Sequence, residues 1–191
     1  RAVLGTALGS LSVIIFTGAL VRLTGSGLGC ADWPRCNSTK FVDVSTGHTL
    51  IEQANRLFTG VVSFSVITAV LLAYFRTPKR KDLILLAWGL VVGVLVEIVI
   101  GGIVVLTGLN PYANMGHFLL SMVLIANAIV LYRKSRVAQN PVFDSSPQER
   151  KYLLTIGVLF ACAVISGTVV TATGPHAGDE NAVRFGFSIT S

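Results

Sequence analysis

Glu52, Asn55 and Arg56 follow one another at i, i+3 and i+4, so a helix through them carries a carboxylate, an amide and a guanidinium on one face. Two chemistries compete for that face. One is an ordinary carboxylate in a first helical turn with its i+4 salt bridge; the other is a binding site in which the planar fork of Arg56 receives another carboxylate. His117 is equally open, as a packed, hydrogen-bonded ring or as an axial ligand to a metal. Glu97 stands among Val and Ile residues, where a carboxyl group must be protonated or hydrogen-bonded to a neighbouring helix. Asn127 is its candidate partner, and a proton relay is the alternative use. Tyr112 and Asn114 read as interfacial anchors, while His48 and His176 receive no role. Cys30 and Cys36 flank Ala-Asp-Trp-Pro-Arg. A disulfide is the leading reading if their loop faces an oxidising compartment; metal binding is the alternative, although C-x5-C without a second pair is a poor zinc signature. Cys162, inside an apolar run, reads as a buried filler.

The elements that carry these residues are apolar. Hydrophobic residues form 52% of the 191 positions and charged residues 13%, and the mean hydropathy of +0.72 lies outside the composition of soluble domains. Five stretches meet the roughly 17–25 residues needed to cross a hydrocarbon core: 2–21, 57–75, 83–106, 113–132 and 152–172. In lipid each must be a helix, because every backbone polar group needs an internal partner. The fold class is therefore all-α and polytopic. The first run is too long for a signal-peptide core and is expected to remain as a helix.

Alternating spans sort the basic residues by side. Arg1, Arg76, Lys79, Arg80, Lys81, Arg133, Lys134, Arg136, Arg150 and Lys151 share one side, against Arg22, Arg35, Lys40 and Arg184 on the other. The positive-inside rule then places the N-terminus in the cytoplasm of a multi-pass cell-membrane protein and the Cys30–Cys36 loop outside. The isoelectric point near 9.6 is thus a topogenic signal, and it gives no support to a nucleic-acid partner; membrane lipid is the partner of the apolar surface. On this topology Glu52, Asn55, Arg56 and His117 reach similar heights near the outer leaflet. His117 lies about 8 Å inside its span and Glu97 about 16 Å from the outer end of its own. No Gly-rich phosphate loop, nucleophile motif or paired-His metal motif occurs, so hydrolase and nucleotide-binding readings have no support. A small-solute transporter would be expected to show midplane Gly or Pro breaks and a central site, yet no proline falls inside a span.

The pattern G-x-x-V-x-x-T-G recurs at the outer ends of spans one, three and five, as Gly18–Gly25, Gly101–Gly108 and Gly167–Gly174. Small residues there allow close approach of a helix or a flat ligand, and Thr-Gly is a natural helix exit. Between spans one and five the agreement extends to Gly29 and Gly178. If span five repeats span one, residues 1–135 form a four-helix membrane bundle, 136–151 a cytoplasmic linker, and 152–191 the first helix and outer segment of an incomplete second bundle.

Over nearly its whole length the chain resembles the haem A synthases of the bacterial and mitochondrial type. The segment from Gly18 through Thr24-Gly-Ser-Gly to Cys30, Trp33-Pro34 and Cys36 matches that family's Thr-Gly-Ser-Gly…Cys…Trp-Pro…Cys loop. Glu52 through Arg56 matches its Glu-x-x-His-Arg element, and His117 falls at the His of its fourth helix. The resemblance implies eight helices in two similar halves. The first would receive haem O from a haem O synthase and oxidise a ring methyl to the formyl of haem A; the second would hold haem b and pass electrons onward. It further implies Glu52 as the essential acid, His117 as an axial iron ligand, Arg56 as a propionate contact, and Cys30–Cys36 as a redox-active or structural pair, and it leaves a homo-oligomer open. Asn55 stands where the family has a His. Asn is a poor iron ligand, which implies ligation by His117 alone. A haem b-binding subunit of a quinone-linked cytochrome, the alternative, would be expected to show two facing His in this bundle.

Overall fold

The computed structural model describes residues 2–137, 146–174 and 177–186. Among them the regular structure is five helices, each long and apolar enough to cross a membrane: α1 (Ala2–Leu23), α2 (Gly47–Phe75), α3 (Lys81–Leu106), α4 (Pro111–Arg136) and α5 (Pro147–Thr173). The chain is an all-helical, multi-pass membrane protein. Several helices overrun their apolar stretches, because capping chemistry sets their ends. Thr46 and Thr49 form a reciprocal capping box that starts α2 well before residue 57, which puts Glu52, Asn55 and Arg56 in its second and third turns. Asn110 accepts from the N–H groups of Tyr112 and Ala113 ahead of Pro111 at the start of α4. A Ser146–Glu149 capping box opens α5. The expected linker therefore gives Arg136 to α4 and Pro147–Lys151 to α5; residues 138–145 lie outside the described residues.

The first four helices pack as a ring, α1 on α2, α2 on α3, α3 on α4 and α4 back on α1, so α2 and α4 are diagonal. The core runs through Ala7 and Leu11 of α1, Val62, Val66 and Val70 of α2, Leu83, Ala87, Leu90 and Val94 of α3, and Leu124, Ala128 and Leu131 of α4. Outward-facing Phe16, Phe64, Leu85 and Val123 are exposed, as lipid-facing side chains are. At the end where the basic residues cluster, buried Arg80 pairs with Asp82 and donates from Nη1 to the carbonyls of Lys134 and Val137, closing the end of α4 with a cation.

The antiparallel register of α3 and α4 corrects one expectation. Asn127 donates from Nδ2 to the Leu86 carbonyl at 3.0 Å, beside Gly89. Because the helices run in opposite directions, Asn127 meets α3 three turns away from Glu97, whose partners come from residues 117–121. A second correction concerns Cys162, which is exposed. Among the described residues helix α5 packs on no helix but α4 and buries only Thr168 and Ala172, so its middle, Cys162 included, is open in this structure.

The repeated pattern is a helix-ending device. In α1 and α3 the Val is the third residue from the end, the Thr is the C-cap and the Gly follows in the left-handed region, at φ 65° for Gly25 and 63° for Gly108. The N–H groups of Ser26 and Leu109 return to the Val21 and Val104 carbonyls, and those of Gly25 and Gly108 to Arg22 and Val105, the paired bonds of a Schellman ending. Thr24, Thr107 and Thr173 all turn their hydroxyls back to the carbonyl four residues earlier. The third copy departs: Gly174 is extended at φ −86° and its N–H bonds only Val170.

Close approach of α3 and α4 at Gly93 is directly testable. A Cβ there would lie 2.3 Å from Leu124 Cδ2, whereas one on Gly60 of α2 meets nothing within 4 Å. Gly93→Ala is expected to lower stability by about 1–3 kcal/mol, and Gly60→Ala to leave it equal or slightly higher; thermal unfolding in detergent compares the two.

Candidate functional site

The loop between α1 and α2 folds back over the end of the bundle and is held there by one buried ion pair. Cys30 and Cys36 are joined as a disulfide and both are buried. Glu52, 4% exposed, accepts on Oε2 from the Cys30 N–H at 2.7 Å and on Oε1 from Arg56 Nε at 2.9 Å. The Arg56 guanidinium spends all five of its donors inside the chain. Nε and Nη2 go to Glu52, Nη1 to the carbonyls of Asp32 and Arg35, and Nη2 also to that of Cys30. In a poorly solvated setting such a pair is favourable because each partner is fully hydrogen-bonded. The i+4 salt bridge is therefore present, and it carries the loop.

Further contacts fix the loop's shape. The Trp33 indole lies on Gly102 of α3, where a Cβ would come within 2.9 Å of the ring. Asp43 accepts from Asn37, Lys40 and the Ser45 N–H. Hydrogen bonds from Ser45, side chain then backbone, hold its carboxyl below the usual range, so this anchor is lost only as pH falls through that lowered value. His48, given no role from sequence, bonds Ser26 through Nδ1 at 2.9 Å; His176 lies outside the described residues. The segment after α5 joins the same surface. Gly27 donates to the Gly178 carbonyl and Val183 to that of Gly108, and Ala177 and Ala182 share a small apolar cluster with Val104 and Leu109. Tyr112 stacks edge-on against Phe185, with ring centroids 5.0 Å apart.

His117 occupies a different environment. Its Nδ1 pairs with Glu97 Oε2 of α3, and the Ser121 hydroxyl, one turn on along α4, donates to Glu97 Oε1 at 2.7 Å. Gly101, one turn after Glu97, lies beside the ring, where a Cβ would be in ordinary contact at 3.4 Å from Cε1. Nε2 has no hydrogen-bond partner among the described residues, and the side chain is 38% exposed. With Nδ1 set against a carboxylate oxygen, Nε2 is the ring nitrogen left open, and it is the one a metal would take.

Asn55 faces neither His117 nor the loop. Its Oδ1 accepts from Thr17 of α1 at 2.7 Å, and it lines a groove of about 310 Å³ with Thr17, Leu20, Ile51, Ala54 and Phe58. Similar height thus did not mean one cluster. Glu52 and Arg56 belong to the loop, Asn55 to the α1–α2 groove and His117 to α3, and among the described residues no hydrogen bond or ion pair joins His117 to α2. Sequence reasoning missed Ser121, Thr17 and Gln53, the last with Oε1 3.5 Å from Cys30 Sγ. A signal existed for Ser121, which stands at i+4 from His117 on the same span.

Residues 1–177 match the cytochrome oxidase assembly protein family. A protein named Heme A synthase from Listeria monocytogenes is 32% identical over 169 residues, covering 84% of this chain and 54% of the relative. Heme A synthases of Lysinibacillus sphaericus and Geobacillus kaustophilus are 32% and 30% identical, covering 62% and 68% of this chain and 39% and 41% of theirs. The chain spans about half the length of the curated relatives it matches. No solved structure matches it.

If Arg56 is the clamp of the loop, Arg56→Lys keeps a cation beside Glu52 but loses most of the bonds to the loop carbonyls. The Cys30 amide is then expected to exchange its hydrogen about 10–100-fold faster, from roughly 1.5–3 kcal/mol of lost charge-assisted bonding. Hydrogen-exchange mass spectrometry of the 29–37 peptide measures it.

Proposed function

This chain belongs to the cytochrome oxidase assembly protein family, and from that premise we propose that it forms the haem O-receiving half of a haem A synthase, an oxidoreductase that converts a haem ring methyl to a formyl group. The observation that carries the reading is His117, with Nδ1 set against Glu97 and Nε2 open. That donor set suits haem iron, with the iron supplying the redox chemistry and the protein supplying orientation and exclusion of water. We propose that the full-length protein has a second, similar bundle, which would hold haem b. Helix α5 is proposed as the first helix of that bundle, since it repeats the sequence pattern that ends α1 and, among the described residues, packs on no helix but α4.

His117 is proposed as the axial ligand to the substrate haem. Asn55, bonded to Thr17 and turned toward the α1–α2 groove, does not supply a second one. Single ligation suits a bound substrate that has to leave, and the want of a facing His pair argues against an electron-transfer cytochrome subunit. Glu52 is proposed as the catalytic carboxylate, whose charge stabilises positive charge developing at the reacting carbon and accepts protons released there. Arg56 keeps that carboxylate in place. A propionate contact by Arg56 would have to displace one of its bonds to the Asp32 or Arg35 carbonyl, so we assign it the clamp role first. The segregation of basic residues supports a cell-membrane orientation with the disulfide loop outside. Haem O would be supplied by a haem O synthase.

Pigment extraction with mass analysis from the full-length protein tests the assignment. Glu52→Gln, which keeps an acceptor for the Cys30 N–H, is expected to accumulate haem O and lose most haem A; an unchanged haem A yield removes Glu52 from the chemistry. His117→Ala is expected to lower haem O retention at least tenfold, and unchanged retention would sink the ligand assignment.

A further inference from the structure

We infer that Glu97 is a positioning residue for His117, holding the imidazole through Nδ1 so that Nε2 is the nitrogen presented to iron. The inference rests on the reading of His117 as an axial ligand and adds a residue that neither the motifs nor the family resemblance marked. Glu97 lies within α3, its side chain 12% exposed, where a carboxyl group is costly unless engaged. Both of its oxygens are engaged, Oε1 by the Ser121 hydroxyl and Oε2 by His117 Nδ1. Glu97 thus joins the Ser121 and His117 side chains of α4, one turn apart, in one connected unit across the α3–α4 seam.

The unit fixes the ring. The carboxylate discriminates between the ring's edges, because turning the imidazole over would put a carbon in place of Nδ1 against Oε2 and forfeit the pairing. Gly101 borders the ring at its Cε1 edge, where a Cβ would lie 3.4 Å from Cε1 and 4.0 Å from both nitrogens, an ordinary contact. A carboxylate on one imidazole nitrogen also raises the basicity of the other, and such partners typically govern metal affinity by 10–100-fold. More electron density on the ligating nitrogen favours ferric over ferrous iron, so loss of the carboxylate charge raises the haem midpoint potential.

The test uses the full-length protein loaded with haem O, as wild type, Glu97→Gln, Glu97→Ala and His117→Ala, with occupancy, optical spectrum and midpoint potential as readouts. Gln preserves an acceptor for His117 and a polar contact for Ser121, so a role confined to joining helices predicts no spectral or redox change. Positioning predicts a raised potential and altered spectrum in Glu97→Gln at wild-type thermal stability, and a roughly 10–100-fold weaker haem O affinity in Glu97→Ala. Wild-type potential and affinity in both Glu97 variants, with the signal lost in His117→Ala, overturn the inference and leave the ligand reading standing. Retention of the wild-type signal in His117→Ala overturns both.

Discussion

The Glu52–Arg56 pair holds this end of the molecule together. It lies on α2, yet its bonds run outward to the backbone of Cys30, Asp32 and Arg35, converting a Gly- and Ser-containing loop into a fixed cover. A carboxylate and a guanidinium buried together are a liability unless every donor and acceptor is met. Here five guanidinium bonds end on four oxygens, Glu52 Oε1 accepting two, and the Cys30 N–H takes the second carboxylate oxygen. The disulfide narrows the loop's unfolded ensemble; the ion pair decides where on the bundle the loop rests.

Once the cover is placed, Trp33 lands on Gly102, and α3 becomes the surface on which the site is assembled. Its glycines have separate uses. Gly89 and Gly93 admit Asn127 and Leu124 of α4, and Gly102 admits the Trp33 ring. A helix in lipid gains little from apolar contact alone, since lipid tails are as apolar as leucine, so close packing and hydrogen bonds must supply its cohesion. The Glu97–His117–Ser121 unit and the Asn127–Leu86 bond provide the polar part of that cohesion at two levels of the same seam.

The repeated ending of α1, α3 and α5 shows how one local solution serves different ends. In α1 and α3 a left-handed glycine reverses the chain so that the next residues pack inward, Leu109 into a small apolar cluster among them. In α5 the same letters end in an extended glycine, because the following segment runs across to the α1 and α3 loops, pairing Gly178 with Gly27 and Val183 with Gly108. The exposed length of α5 contrasts with the enclosed ring of the first four helices.

Class, span number and the disulfide's plausibility were legible in the sequence, because apolar length, backbone satisfaction in lipid and cysteine spacing are local properties. The chemistry-bearing residues were legible too, since Glu52, Arg56, Glu97 and His117 are polar groups in or beside apolar spans. Their partnerships were not. Helical periodicity gives a residue's height and face, but it does not say which neighbour the face meets. That depended on the ring order that makes α2 and α4 diagonal, and on the antiparallel register that sends Asn127 to Leu86 and His117 to Glu97. Exposure of Cys162 followed likewise from what α5 packs against, a fact of tertiary arrangement that no run of apolar residues encodes.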